Sequence, residues 1–227
     1  MVVLSVEIKG EGIMLQKKRM HIIFFSLLIF PLIVISRFSW AQMVGSVHVK
    51  VSQITNLVTI HLHPGINKIV KFTPDGRGAI IVRAWRENGD AHGYNLFLVM
   101  IDNAVVGVYT EKQFEDVVRD DPHTFEDVVR SVRFARGKIS GVQTTFLITA
   151  TRTTSFPISL ATPGYVVFDF YQLVHAPQLG TTEDFFRLVS QFSSKKKYCN
   201  SDLALFKEIG LPLPATYEGL NKIDGCP

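Results

Sequence analysis

From Val47 onward the chain alternates apolar and polar residues with a period of two. Val47, Val49 and Val51 alternate with His48, Lys50 and Ser52; Val58, Ile60 and Leu62 alternate with Thr59, His61 and His63. That period turns successive side chains to opposite faces of a strand, one inward and one toward water. Further β-rich runs follow at 66–72, 79–85, 96–101 and 104–109. Between them stand His63-Pro64-Gly65, Pro74-Asp75-Gly76, Glu87-Asn88-Gly89-Asp90 and Asp102-Asn103, residue types that supply turns. Short strands at this spacing predict an antiparallel sheet or sandwich.

The middle of the chain changes period. Phe114-Glu115-Asp116-Val117-Val118-Arg119 recurs eleven residues later as Phe125-Glu126-Asp127-Val128-Val129-Arg130. Phe114, Val117 and Val118 fall at i, i+3 and i+4, and Phe125, Val128, Val129 and Val132 repeat the pattern, which predicts two short helices. Thr110 with Gln113 and Thr124 with Asp127 resemble capping pairs, and Pro122 separates the two segments. Two copies fall short of a solenoid, so the duplication is expected to give two helices on one sheet. After Gly137 and Gly141 the chain returns to strands at 143–151 and 165–174. Another helix is expected with Phe185, Leu188, Val189 and Phe192 on one face and Lys195–Lys197 beyond its end, followed by a last one from Ser201 to Gly210. The sum is an α+β protein, a strand-rich antiparallel N-terminal half followed by short amphipathic helices interleaved with two or three strands. Residues 42–109 form the β-rich region and 110–227 the α+β region, the two together being able to make one domain.

What precedes the first strand reads as a leader. Lys17, Lys18 and Arg19 stand before an apolar run of about 14 residues, Ile22 to Ile35, where a membrane-spanning helix needs about 20. Ser39 and Ala41 are small residues at the −3 and −1 positions of a cleavage site. Residues 14–41 are therefore expected to be a signal peptide, cut after Ala41. Translation is expected to start at Met14, with Met1 and Met20 as the other candidate starts, so that residues 1–13 fall outside the protein. The expected compartment is the periplasm or the exterior, with membrane contact only through the leader before cleavage.

Charge and cysteines sharpen this. The net charge is +4, from 24 Lys+Arg and 20 Asp+Glu. Five of the basic groups and two of the acidic ones lie in residues 1–41, which leaves 19 and 18, or +1, in the remainder. A nucleic-acid binder concentrates a basic surplus in its working domain, so nucleic acid is excluded as a partner. The two cysteines, Cys199 and Cys226, are expected to form a disulfide in an exported chain, closing a C-terminal segment rich in Pro and Gly.

No complete catalytic motif stands out. There is no Walker loop, no GxGxxG and no Gly-x-Ser-x-Gly, and the Ser-x-x-Lys at Ser194 and Lys197 lacks its companion motifs. On a strand His61 and His63 share a face, and a hairpin between 47–51 and 58–62 would bring His48 opposite. Three imidazoles there are a candidate Zn or Cu ligand set; otherwise no cofactor is expected. Asp169, flanked by Phe168 and Phe170 and sharing a face with Tyr165 and Tyr171, is a candidate proton donor if that face is buried. Arg83 and Trp85 share another face and form a candidate surface for a sugar ring or a partner.

The strand–turn rhythm from Leu57 to Trp85, centred on His63-Pro64-Gly65, resembles the small β-domains of envelope-spanning secretion and conjugation machines. The resemblance implies an accessory to such an apparatus. The leading functional expectation is a non-enzymatic exported protein that binds or scaffolds an envelope protein. The alternatives are a small hydrolase or metal-dependent enzyme using the histidines, and a carbohydrate- or ligand-binding module using Arg83, Trp85, Tyr165, Asp169 and Tyr171. Catalysis is left open, with the balance against it.

Overall fold

The structure is a computed structural model and describes residues 49–87, 93–110, 114–121, 128–153, 162–176, 182–215 and 217. All of them belong to the unit Ser46–Pro227. The leader lies outside the described residues, as do His48 and Cys226.

Twelve strands are found among the described residues: β1 (Ile54–Ile60), β2 (Gly65–Ile69), β3 (Ala79–Arg86), β4 (Tyr94–Ile101), β5 (Ala104–Val105), β6 (Gly107–Tyr109), β7 (Phe114–Glu115), β8 (Val118–Arg119), β9 (Arg130–Ile139), β10 (Val142–Arg152), β11 (Gly164–His175) and β12 (Asp184–Tyr198). They make a larger sheet in the order β1-β9-β10-β11-β12-β6-β7 and a smaller one in the order β2-β3-β4-β5, with β8 also on β4. Strands β9 to β12 form an antiparallel meander, and β6 joins β12 in parallel. Tight turns set the register. Ser140 (φ 51°) and Gly141 (φ 83°) link β9 to β10, and Asp102 (φ 49°) and Asn103 (φ 64°) link β4 to β5. Both pairs show the double positive φ that suits the right-handed twist of a hairpin.

The fold is therefore two β-sheets, and the α+β expectation is overturned. Strands form at or across the runs expected at 58–62, 66–72, 79–85, 96–101, 104–109, 143–151 and 165–174, whereas the strand expected at 47–51 does not, since Val49 and Lys50 are irregular and Val51–Gln53 is a 3-10 turn. The expected helix at 110–119 is instead the pair of short strands β7 and β8, and the second copy of the duplication runs from Val128 into β9, its residues 124–127 lying outside the described ones. The expected helix beginning near Glu183 is β12, fifteen residues of extended chain. Burial explains the misreading. Phe185 and its neighbour Phe186 are both buried, though adjacent strand residues point to opposite faces. A strand covered on both sides needs apolar residues at both parities, so its period of two vanishes. Two register shifts against β11 break it further.

The larger sheet is covered on both faces. One face packs on the smaller sheet through Phe134, Leu147 and Phe186, against Phe72, Ile81 and Phe97. The other carries Phe146, Ile148, Phe168 and Phe170, covered by Leu203, Leu205, Leu211 and Val49. The covering segment contains the one α-helical piece among the described residues, α1 (Ser201–Ala204), continued by a π-helical turn, Leu205–Ile209. Asn200 caps it, its side-chain oxygen accepting from the backbone N–H of Asp202 (2.8 Å) and Leu203 (3.2 Å), and Gly210 (φ 82°) ends it.

Gly137, expected as a breaker, sits inside β9. A Cβ there would meet Phe146 Cε2 at 3.0 Å and the Thr55 carbonyl oxygen at 3.3 Å, so its absence lets β1 and Phe146 approach.

At one end the two sheets are tied by charge. Arg77, between β2 and β3, donates two hydrogen bonds to Asp184 (2.8 and 3.0 Å), one to Asp75 (2.8 Å) and one to Asp102 (3.1 Å). His175 Nδ1 lies 3.0 Å from the same Asp184.

Candidate functional site, the cleft between the sheets

At the opposite end of the inter-sheet layer the sheets part. Phe97 and Phe134 still touch across it, with ring centroids 6.0 Å apart. Beyond them β3 and β4 turn Arg83, Trp85 and Asn95 toward a space whose far wall is Val132 and Arg130 of β9. Strand β1 stops at Ile60 after pairing with Phe134, so Arg130–Arg133 have no β1 neighbour in the ladder. Residues 212–215 and Tyr217 close another side. The result is a cleft of about 880 Å³ with an apolar floor that includes Ile60, Phe97 and Phe134. That is the size of small-molecule sites.

The polar residues of the cleft are placed by main-chain pairing. Asp121 and Arg130 exchange backbone hydrogen bonds (2.8 and 3.1 Å), which brings the end of β8, with Asp120, beside the start of β9. Ser201 donates its N–H to the Val128 carbonyl (2.9 Å), and its hydroxyl lies 2.6 Å from that of Ser131. These contacts seat α1 so that Asp202 meets Arg133 at 2.5 Å.

A second chain of bonds runs along the other wall. Arg83 Nε donates to Asn95 Oδ1 (2.9 Å), while the Asn95 amide and backbone N–H donate to Asp120 (2.8 and 2.7 Å). Burial pushes the Asp120 carboxyl above the ordinary range; the Asn95 donors and Arg83 pull it down, and Asp202 adds to the rise.

Three atoms in this lining stand apart. Arg130 Nε, Tyr217 Oη and Thr59 Oγ1 are buried and have no hydrogen-bond partner. Burial first, and the Asp202 carboxylate second, push the Tyr217 phenol up.

Trp85 forms the rim. Its side chain is exposed (54 %), and its indole lies on Gly93 so closely that a Cβ there would fall 2.3 Å from Trp85 Cζ2 and 2.7 Å from the Arg86 carbonyl oxygen. Gly93→Ala is expected to displace the indole and cost about 1–3 kcal/mol through overpacking. A shifted Trp85 indole N–H resonance, together with a lowered melting temperature, would record it. An unchanged indole environment would refute this rim geometry.

Of the residues nominated from sequence, Arg83, Trp85 and His61 line the cleft. The other described ones do not line it. His61 and His63 follow the end of β1 instead of lying on it, and His63 Nδ1 sits 2.9 Å from the Pro64 carbonyl oxygen. The expected hairpin is also replaced, since β1 pairs with β9 and the Val49 N–H bonds to Val189 O (2.7 Å). The shared strand face behind the three-histidine proposal is thus absent for His61 and His63. No group of three or more metal-binding side chains occurs among the described residues.

Asp169 is half-buried on β11, accepting from Thr149 (3.1 Å) and Gln191 (2.7 Å). Tyr171 is buried, and its phenol is pushed up to about 12 by burial first and Asp169 second. Tyr165 lies at the other end of β11, exposed under the Lys197 ammonium at 5.6 Å. Cys199 is fully buried, and no described cysteine is free.

Sequence reasoning missed Asn95, Asp120, Arg130, Arg133, Asp202 and Tyr217. The one available signal was Arg83 two residues before Trp85, an inward strand face that turns polar where the core ends.

The fold is similar to that of CarG. The crystal structure of CarG matches with a TM-score of 0.54 at 19% identity, over 68% of this chain and 99% of that one. No family model matches the chain, and no curated protein does. At that identity the likeness establishes the two-sheet architecture alone.

Proposed function

We propose that the chain is an exported, non-enzymatic binding protein of the cell envelope, and that it holds its ligand in the cleft between the sheets. One observation carries the reading: the lining of one cleft sets three arginines (Arg83, Arg130 and Arg133) against two aspartates (Asp120 and Asp202) above an apolar floor, in a space of the size that holds a small molecule. Trp85 at the rim adds a flat apolar face of the kind that anchors rings and side chains. This keeps Arg83 and Trp85 from the ligand-binding alternative and sets Tyr165 and Tyr171 apart from them.

A second reading, docking to an envelope protein, draws on β2. Among the described strands it pairs with β3 alone, and Ile66 within it and Val70 just past its end are exposed on either side of Lys68. An open strand edge with apolar side chains can accept a partner's strand.

Export is tested by mass spectrometry of the protein recovered from its host. The reading expects a first residue of Gln42 and a Cys199–Cys226 disulfide. An intact leader with both thiols free would overturn it. For the cleft, the expected result is a set of ligand-induced amide shifts at Thr59, Trp85, Arg130 and Ala215. Shifts confined to the β2 edge on adding an envelope extract would favour the second reading.

A further inference from the structure

The charges of the cleft do not cancel locally. Arg133 is paired with Asp202 at 2.5 Å, and Arg83 is bonded through Asn95 to Asp120. That accounts for both aspartates. Arg130 remains, lining the cleft with no carboxylate of the described residues within ion-pair distance of its guanidinium. Tyr217 adds a phenol to the same lining. A guanidinium presents parallel N–H donors in a fixed fork that matches a carboxylate in two-point contact. A cation in a partly closed cleft, short of one anion, is complementary to a single negative charge.

The apolar features fix the rest of the ligand. The floor is Ile60, Phe97 and Phe134, and the rim is the exposed indole of Trp85, backed by Gly93. An aromatic ring beside the carboxylate could lie on that floor or against the indole, where ring contacts add about 0.5–1.5 kcal/mol beyond area burial. The volume of about 880 Å³ sets the scale at a small molecule.

We infer that the cleft binds a small organic carboxylate carrying an apolar ring, with Arg130 holding the carboxylate and Trp85 flanking the ring. The inference rests on the binding reading above and narrows it to a ligand class. Arg130 acts as the specificity-determining residue, because a neutral isostere leaves its positive charge in the cleft without a counter-charge.

The test is isothermal titration calorimetry of the purified full chain with two probes, N-acetyl-L-phenylalanine and its C-terminal amide. They differ only in the charge that Arg130 would read. The acid is expected to bind saturably, and the amide about tenfold more weakly or worse. Arg130→Gln is expected to abolish the preference, and Arg130→Lys to keep part of it, since it retains the charge and loses the fork. Equal affinity for acid and amide would overturn the carboxylate assignment and leave the cleft-binding reading standing. The absence of saturable heat with either probe at 10-millimolar scale (about the weakest affinity calorimetry resolves) would overturn both. The wild-type comparison decides the matter even if the glutamine variant fails to fold.

Discussion

Phe186→Ala is expected to cost about 3–5 kcal/mol of unfolding free energy, the range for removing a fully buried aromatic from a core. Phe186 is 0 % exposed and meets Phe72 (centroids 6.3 Å apart, planes at 84°) and Phe134 (6.1 Å, 62°) edge to face. The Phe72 contact reaches the segment between β2 and β3, and the Phe134 contact runs along the inner face of the larger sheet, so the variant deletes packing both across and along the inter-sheet layer. The experiment also separates two structures for the same segment. A helix buried through Phe185, Leu188, Val189 and Phe192 would leave Phe186 toward water, where truncation changes stability by no more than about 0.5 kcal/mol. In the strand both phenylalanines are buried, and Phe185→Ala should be costly as well. Urea unfolding of the two variants decides it. A loss below about 1 kcal/mol for Phe186→Ala would return the segment to the helical pattern.

That segment also marks how far the fold could be read from the chain. Strands with one wet face were legible. β3 and β4 cover the runs expected of them, because alternation survives wherever water touches one side. Turn chemistry was legible too, since Asp102-Asn103 closes β4 on β5 with the positive φ values those residues tolerate. What failed were β12, β7 and β8, whereas β10 and β11, also covered on both faces, were legible from their β-branched and aromatic residues. In β12 the doubly covered sheet imposes apolar residues at both parities. β7 and β8 are two residues each, too short to show any period, and their Phe-x-x-Val-Val spacing imitates a helical stripe. The final helical segment was legible because its cap and its stop are local: Asn200 before it and Gly210 after it.

The cleft was legible only in part for a related reason. It exists because β1 leaves the ladder at Ile60 and because Asp121 and Arg130 pair across a long connection. Neither event has a local signature. Arg130 seemed to belong with Arg119 as the matching end of a repeat, yet their fates diverge. Arg119 lies over the Tyr94 ring (5.4 Å) on the small sheet, whereas Arg130 opens β9 and lines the cleft. Identical hexapeptides acquired different roles from the strands they meet.

Arg77→Met should be the most damaging change at a polar site, lowering stability by about 2–3 kcal/mol. Removing one partner of a buried pair costs about 3–5 kcal/mol, because the other charge stays behind. Here the figure is discounted, since water reaches Arg77 and His175 remains beside Asp184. Asp184 is the charge left behind, its side chain only 8 % exposed. Methionine keeps the apolar stem of the arginine and so isolates the loss of the guanidinium.

The variant should also change the acid limb of the stability curve. Thr73 first, and Arg77 second, hold the Asp75 carboxyl down at about 2, below its ordinary 3.8. Between those two values the folded protein keeps this carboxylate ionised while the unfolded chain takes up a proton. Falling pH therefore favours unfolding, and the contribution, complete above the unfolded value, is lost as pH drops through 3.8 toward 2. With Arg77 gone, part of the depression goes with it. The difference in stability between wild type and Arg77→Met is then expected to be largest near neutrality and to shrink toward pH 2.5. Carboxylates elsewhere titrate alike in both proteins and cancel in that difference. Two unfolding curves that stay parallel from pH 6 to pH 2.5 would show that the guanidinium does not act through these carboxylates.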